Sequence, residues 1–193
     1  CRPADMNGPT CSVPVATLCQ GFSPQNACFA YANGKWTVNG ASMARGIAWF
    51  SGNLEVGNGV YVNTFLATGN INTAGGHRTT SPNYAGYRVT CQNQPPANSS
   101  LSINANFQAL VPTNLCGNAE MVGNTLANAA FIAGGYSPTT GAFTGGIITL
   151  GASTLAEGSV LGADVVNTGG STVIKGSVVA AAQDEGRTGP VMF

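Results

Sequence analysis

The chain has 193 residues, enough for one sizeable hydrophobic core, and no apolar run approaches the ~20 residues that span a membrane as a helix. Only 7% of its residues are charged, against about a quarter in typical soluble domains, and seven Lys and Arg balance seven Asp and Glu. A chain without net charge has no field to attract nucleic acid or an anionic membrane, and its weak self-repulsion favours association with other copies.

Residues 1–40 combine cysteine, proline and turn residues, which predicts a disulfide-rich cap or arm ahead of residues 41–193. The six disulfide candidates are Cys1, Cys11, Cys19, Cys28, Cys91 and Cys116. We favour Cys91 with Cys116, which would close the Pro-, Asn- and Ser-rich segment between them, and leave the pairing of the others open. An even cysteine count and a start at Cys1 indicate an exported chain without its signal, outside the cell or at its surface. Lipidation of Cys1 is the alternative.

From residue 41 onwards, short β-prone runs alternate with Gly and Asn. The sequence "GNLEVGNG" at 52–59 is echoed by "GNINTAGG" at 69–76, seventeen residues later. Trp49, inside "GIAWF", is expected in the core.

The composition of residues 77–100 predicts a loop excursion, because Pro95 and Pro96 are incompatible with the interior of a strand or helix. His77 lies in the polar sequence "AGGHRTTS", with no acidic residue nearby in the sequence. We therefore expect a solvated loop histidine rather than a general base.

Two segments precede the C-terminal part of the chain. Residues 101–109 alternate strictly between apolar and polar side chains, which predicts a half-buried strand. Residues 117–130 predict a short helix that buries Met121, Leu126, Ala129 and Ala130. A further run of strand is the alternative, because "AAFIAGG" resembles "NTFLATG" at 63–69.

The sequence "IITLGASTLAEGSVLGA" at 147–163 recurs eighteen residues later as "VVNTGGSTVIKGSVVAA" at 165–181. A gapless repeat of short strands broken at Gly and Ser is typical of one turn of a β-solenoid, with three short faces joined by tight corners. Glu157 and Lys175 would then stack as a cross-coil pair of opposite charge. We predict a mostly β fold, a β-solenoid with about 17–18 residues per coil over residues 41–193. Two similar hairpins in a sandwich are the alternative.

Two segments resemble the coils of exported bacterial β-solenoid proteins: "GNLEVGNGVYVNTFLATGNINT" at 52–73 and "ITLGASTLAEGSVLGADVVNTGGSTVIKGSVVAAAQ" at 148–183. These proteins include polymer-forming, bactofilin-like modules of pilus-associated and surface proteins. The second segment also resembles the closing coils of bacterial ice-binding solenoid proteins. The resemblance implies a solenoid that assembles or binds at a surface.

The sequence contains no nucleophile elbow, P-loop, HExxH, EF-hand or C-x-x-C pattern, so we predict no catalytic residue, metal or cofactor. We expect a non-enzymatic structural subunit that assembles with copies of itself into an extracellular filament, pilus-like fibre or surface layer. Val191, Met192 and Phe193 are the candidate subunit contacts. An ice-binding module or a carbohydrate-binding adhesin is the alternative. Thr154 with Thr172 and Ser153 with Ser171 offer two short columns of the kind that an ice-binding face requires.

Overall fold

The computed structural model describes residues 6–7, 10–11, 29–38, 43–97, 99, 101, 111–117 and 119–181. In these residues the fold is mostly β, which confirms that part of the prediction. Short strands form because β-branched and aromatic residues occur in short runs between glycines.

The strands within the described ranges are β1 (Met6–Asn7), β2 (Thr10–Cys11), β3 (Phe29–Ala32), β4 (Lys35–Val38), β5 (Gly46–Phe50), β6 (Asn53–Val56), β7 (Val60–Ala67), β8 (Ile71–Thr73), β9 (Arg78–Thr80), β10 (Ala129–Ala133), β11 (Gly135–Tyr136), β12 (Phe143–Thr144), β13 (Ile148–Leu150), β14 (Leu155–Glu157), β15 (Ser159–Gly162), β16 (Val166–Thr168), β17 (Val173–Lys175) and β18 (Val178–Ala180). The helices in the same ranges are α1 (Pro82–Ala85), α2 (Tyr87–Thr90) and a 3-10 helix (Thr125–Asn128).

Most of these strands belong to two large sheets, whose pairings divide into three ladders of parallel strands. Ladder A is the sheet with the order β16, β13, β8, β6, β4, β3, which is parallel except for the β3–β4 hairpin. Ladders B and C share the long strand β7, whose first part pairs with β9 and whose second part pairs with β5 and β10. Ladder B continues through β14 to β17, and ladder C through β15 to β18. Together the ladders nearly close around one apolar core.

The register of the ladders follows the sequence repeats. Strands of the C-terminal repeat pair eighteen residues apart in all three ladders, and the earlier echo pairs seventeen residues apart in ladder A. The partners include Ile148 and Val166, Glu157 and Lys175, Val160 and Val178, and Leu54 and Ile71. Such a register stacks equivalent side chains in columns, so each repeat adds a layer to the same core.

Inward-pointing side chains of the ladders form a single hydrophobic cluster. In ladder C, Phe65, Phe131 and Val160 are fully buried, and the rings of Phe65 and Phe131 stack with their centroids 5.9 Å apart. In ladder A, Ile71 and Ile148 continue this core. Because alternate residues of a strand point to opposite faces, the spacing of apolar residues selects the buried face.

The corner between β13 and β14 recurs between β16 and β17. Ser153 and Ser171 occupy equivalent positions in it, and both have a φ of 59°. A Cβ atom at Gly169 would lie 2.6 Å from the backbone nitrogen of Ala152 in the layer below. The repeated glycine therefore permits two corners to approach closely, which explains why the corner sequence is repeated together with the strands.

Ladder A begins before residue 41. Asn33 and Gly34 both have positive φ, which suits a two-residue turn between antiparallel strands and accounts for the β3–β4 hairpin. β4 pairs in parallel with β6, and Trp36 packs against the core. Residues 29–38 thus belong to the same sheet as the later strands.

The helix predicted for residues 117–130 is wrong for the described part of that segment, which contains the 3-10 helix followed by β10. Asn124 accepts a hydrogen bond from the backbone N–H of Leu126 and caps the 3-10 helix. β10 then pairs on both edges, with Phe131 opposite Phe65 of β7 on one side and β15 on the other. The backbone pairing on both sides outweighs the helix propensity of the alanines, so the strand alternative is the one that forms.

Residues 77–100 are not all loop. Arg78–Thr80 form β9 in the middle of ladder B, because this short Thr-rich run pairs with β7 and β14. Pro82 is at the start of α1, where its fixed φ suits the first helical turn. Pro95 and Pro96 lie in no helix or strand, as predicted.

Candidate functional site

The last strands of the three ladders, β16, β17 and β18, form a layer that we call the terminal rung. No described strand pairs with its outer side. Phe65, Phe131 and Val160 are fully buried in the inward column of ladder C, but Val178, which continues that column on the terminal rung, is 43% exposed. Among the described residues, the core is therefore open at this end.

A charged cluster lies on the outer face of ladder B. Glu157 of β14 accepts a hydrogen bond from Lys175 of β17 at Oε1, with the two atoms 2.9 Å apart. Its Oε2 accepts hydrogen bonds from Arg78 at 3.1 Å and from the hydroxyl of Thr80 at 2.8 Å, both on β9. Glu157 and Lys175 lie directly opposite each other, as the repeat predicts. Three strands thus hold one nearly buried carboxylate.

The environment of Glu157 changes the pKa of its carboxyl group in two opposing ways. Burial raises this pKa, but the hydrogen bonds from Lys175, Thr80 and Arg78 outweigh burial and lower it below its ordinary value. The carboxylate is therefore ionised at neutral pH. Its contribution to stability is complete above the ordinary glutamate pKa and is lost as the pH falls through the lowered pKa of the folded state.

Glu157→Gln is expected to lower the free energy of unfolding by about 1–2 kcal/mol at neutral pH, because two cations and a hydroxyl lose a charged acceptor. The difference from the wild type should shrink as the pH falls below about 4.3, where glutamate begins to be protonated in the unfolded chain. Urea denaturation at several pH values measures both effects.

The matched control is Glu55→Gln. Glu55 pairs with Lys35, but the two side chains are 46% and 47% exposed, so the loss there should be under about 0.5 kcal/mol. Equal losses in the two variants would contradict the greater contribution of the buried cluster.

His77 is fully buried, so the prediction of a solvated loop histidine is wrong. Its Nδ1 donates to the carbonyl of Gly57 at 3.1 Å, since a carbonyl can only accept, and its Nε2 accepts from the hydroxyl of Thr79 at 2.5 Å. The imidazole stacks on Tyr61 with centroids 5.0 Å apart and lies 5.7 Å from the ring of Phe131. Tyr61 of β7 and Phe131 of β10 cover the imidazole. The polar residues next to His77 in the sequence therefore do not indicate that it is buried.

Cys91 and Cys116 form a disulfide, the pairing favoured from the sequence. It ties the residue that follows α2 to the segment before the 3-10 helix. Cys11 ends β2, and Cys1, Cys19 and Cys28 lie outside the described residues. The disulfide-rich N-terminal region therefore stays a prediction.

Thr154 and Thr172 do not form a flat exposed face. Thr154 is buried, and its hydroxyl donates to the carbonyl of Gly151 at 2.6 Å. Thr172 makes the equivalent bond to the carbonyl of Gly169 at 2.9 Å. Both hydroxyls stabilise the repeated corner, so this column gives no support to an ice-binding face.

One outward column of ladder C is apolar. Its members are Trp49, Leu66, Ile132, Leu161 and Val179. Trp49 is 49% exposed, so its predicted place in the core is wrong. In β5 the neighbouring residues Ala48 and Phe50 contact the core, and the alternation of the strand turns Trp49 outward.

Two sets of predicted residues lie outside the described part of the chain. They are residues 102–109 of the expected strand, and Val191, Met192 and Phe193 of the tail. Their predicted roles stay predictions.

The described residues contain no group of three or more His, Cys, Asp and Glu side chains that could hold a metal ion. None of the described helices has the length and apolar character needed to cross a membrane. Comparison of the chain with protein-family models, curated proteins and solved structures gives no match. Proposals about function therefore depend on the geometry of this chain.

No pattern in the sequence identifies Arg78 and Thr80 as members of the Glu157 cluster. Arg78 and Glu157 are 79 residues apart in the chain, and β9 shares no residue type with β14 at the paired positions. The repeat identified the Lys175 side of the cluster because those two strands come from similar sequences. No comparable signal marks the β9 side.

Proposed function

We propose that the three ladders are the faces of a short β-solenoid, and that this solenoid is a non-enzymatic structural subunit that assembles with copies of itself through the terminal rung. The observation that carries the proposal is the exposure of Val178 in a column whose members Phe65, Phe131 and Val160 are fully buried. Because layers of a solenoid bury their apolar faces on one another, the last layer requires a cap or a partner.

The edges of the terminal rung support the same proposal. Each of the three ladders ends there in a strand with one edge that no described strand pairs with. Unpaired strand edges bind further strands unless charge, proline or a covering segment prevents it. The three strands contain no proline, and Lys175 is their one charged residue. Lys175 is paired with Glu157, and a single charged residue opposes the approach of another copy only weakly.

We further propose that residues 182–193, the tail, take part in the contact between the terminal rung and the next copy. Residues 182–193 follow the terminal rung in the sequence and include Val191, Met192 and Phe193. We assign these apolar side chains to a contact with the neighbouring copy, as an added strand or an apolar plug. The product would be an extracellular filament, pilus-like fibre or surface layer, a setting that suits paired cysteines.

Val178→Lys is expected to abolish self-association, whereas Val179→Lys should leave it intact. The two residues are neighbours on β18 and are 43% and 47% exposed, but Val178 belongs to the inward column and Val179 points outward. Sedimentation velocity over a range of concentrations and negative-stain microscopy measure association, and circular dichroism checks folding. A wild-type chain that stays monomeric, or equal loss in both variants, would contradict assembly through the terminal rung.

A chain truncated after Ala181 tests the tail separately. If the tail contacts the next copy, truncation weakens association in sedimentation. If the truncated chain associates more strongly than the wild type, the tail covers its own terminal rung, and its assignment as a subunit contact is wrong.

Ice binding draws no support from the corner-bonded hydroxyls of Thr154 and Thr172. Carbohydrate binding is the second candidate function, and one specific feature favours it: a groove beside the Glu157 cluster.

A further inference from the structure

A groove of about 470 Å³ lies on ladder B, beside the Glu157 cluster. Its polar lining includes Arg78 and Thr80 of β9, Glu157 of β14 and Ser99. Tyr84 of α1 and Val89 of α2 line it from the helical side. Its volume falls in the range of about 300–1,000 Å³ that is typical of small-molecule sites. The assembly proposed above makes no use of it.

The helical side of the groove is held in place by covalent and polar contacts. The Cys91–Cys116 disulfide fixes the residue that follows α2. Asn83 of α1 donates from Nδ2 to the carbonyl of Asn124 at 3.0 Å. A site that is ordered before binding loses less conformational entropy when a ligand enters.

The charged groups at the groove are paired with one another. Arg78 and Glu157 form an ion pair, with Nη2 and Oε2 3.1 Å apart, and the lowered pKa of Glu157 keeps that pair ionised at neutral pH. Oε1 accepts a bond from Lys175, and a carboxylate oxygen has two lone pairs. A ligand hydroxyl can therefore donate to Glu157 without displacing an existing contact.

Apolar side chains also line the groove. Tyr84 is 56% exposed, and Val89 and Pro96 contribute to the same lining. An exposed tyrosine ring provides a large, rigid apolar face at low entropic cost. The groove thus suits a ligand with one apolar face and many hydroxyls.

We propose that the groove binds an oligosaccharide. The C–H face of a pyranose ring packs on Tyr84, and its hydroxyls exchange hydrogen bonds with Glu157 and Arg78. A purely apolar ligand would bury the ion pair without hydrogen bonds, which is unfavourable. This site is independent of assembly through the terminal rung.

Isothermal titration calorimetry with cellotriose, maltotriose, laminaritriose, mannotriose and N-acetylchitotriose tests the proposal. At least one of these sugars is expected to bind the wild-type chain, and Tyr84→Ala should weaken that binding about tenfold. Tyr136→Ala is the matched control, because Tyr136 is 71% exposed on β11 and does not line the groove. The affinity of the Tyr136→Ala variant for the sugar should equal that of the wild type. Tyr84→Phe keeps the ring and should retain most of the binding.

Two results would overturn the proposal. They are no binding of any of these trisaccharides to the folded chain, and unchanged affinity in Tyr84→Ala. The Val178→Lys chain keeps the groove and is expected to bind sugar like the wild type. Failure of assembly and failure of sugar binding are therefore distinguishable.

Discussion

Replacement of Phe131 with alanine is expected to lower the free energy of unfolding by about 3–5 kcal/mol, the usual range for loss of a fully buried aromatic ring. The ring stacks on Phe65 with centroids 5.9 Å apart and lies 5.7 Å from the imidazole of His77. Because β10 lies between β7 and β15, a cavity at Phe131 would remove packing contacts between two successive layers of the core. Urea denaturation followed by circular dichroism measures the loss.

Tyr136→Ala is the control for this substitution. Tyr136 is largely exposed on β11, and its main aromatic contact is an edge-on one with Phe143 at 5.5 Å. The loss should be under about 1 kcal/mol. Similar losses at Phe131 and Tyr136 would contradict a core organised around the aromatic column of ladder C.

Acidification from pH 6.5 to pH 4 is expected to lower the free energy of unfolding by about 3 kcal/mol through His77. Burial lowers the pKa of His77 from its ordinary 6.5 to about 4, against a smaller opposite effect of the hydrogen bond to Gly57. Between these pH values the unfolded chain binds a proton that the folded chain excludes. The contribution of the neutral His77 to the free energy of unfolding is therefore complete above pH 6.5. It declines by about 1.4 kcal/mol per pH unit as the pH falls towards 4.

His77 is the single histidine of the chain, so its imidazole proton resonances can be titrated without overlap. The folded protein should titrate near pH 4, and His77→Gln should remove this part of the pH dependence whatever its absolute stability. A midpoint near pH 6.5, or an unchanged pH dependence in His77→Gln, would contradict the buried neutral imidazole.

The repeat of residues 147–181 predicts more of the fold than any other feature of the sequence. A parallel layer of equal length places equivalent residues on top of one another, so the offset of eighteen residues predicts the register of three strand pairs and the contact of Glu157 with Lys175. The disulfide between Cys91 and Cys116 follows from a simpler argument about the segment that it closes.

The predictions for Trp49, residues 129–133 and His77 are wrong for a shared reason. Trp49 occurs in an apolar run, but the side that its strand turns to the core is decided by pairing with β7. Residues 129–133 have alanines that favour a helix, but strands on both edges impose extended backbone. His77 has polar neighbours in the sequence and aromatic neighbours in space. In each case the deciding partner is distant along the chain.

The sequence by itself determined the mostly β fold and the layered register of the C-terminal repeat, because these depend on alternation and corner residues that are close in the chain. Only the tertiary structure decided the burial of His77, the open end at Val178 and the groove between Tyr84 and Glu157. His77 is buried by side chains of β7 and β10, and Val178 lies where the stack of layers ends. The groove arises where the long segment between β9 and β10 carries α1 and α2 to ladder B. Burial depends on which distant residues meet, and no local pattern encodes that.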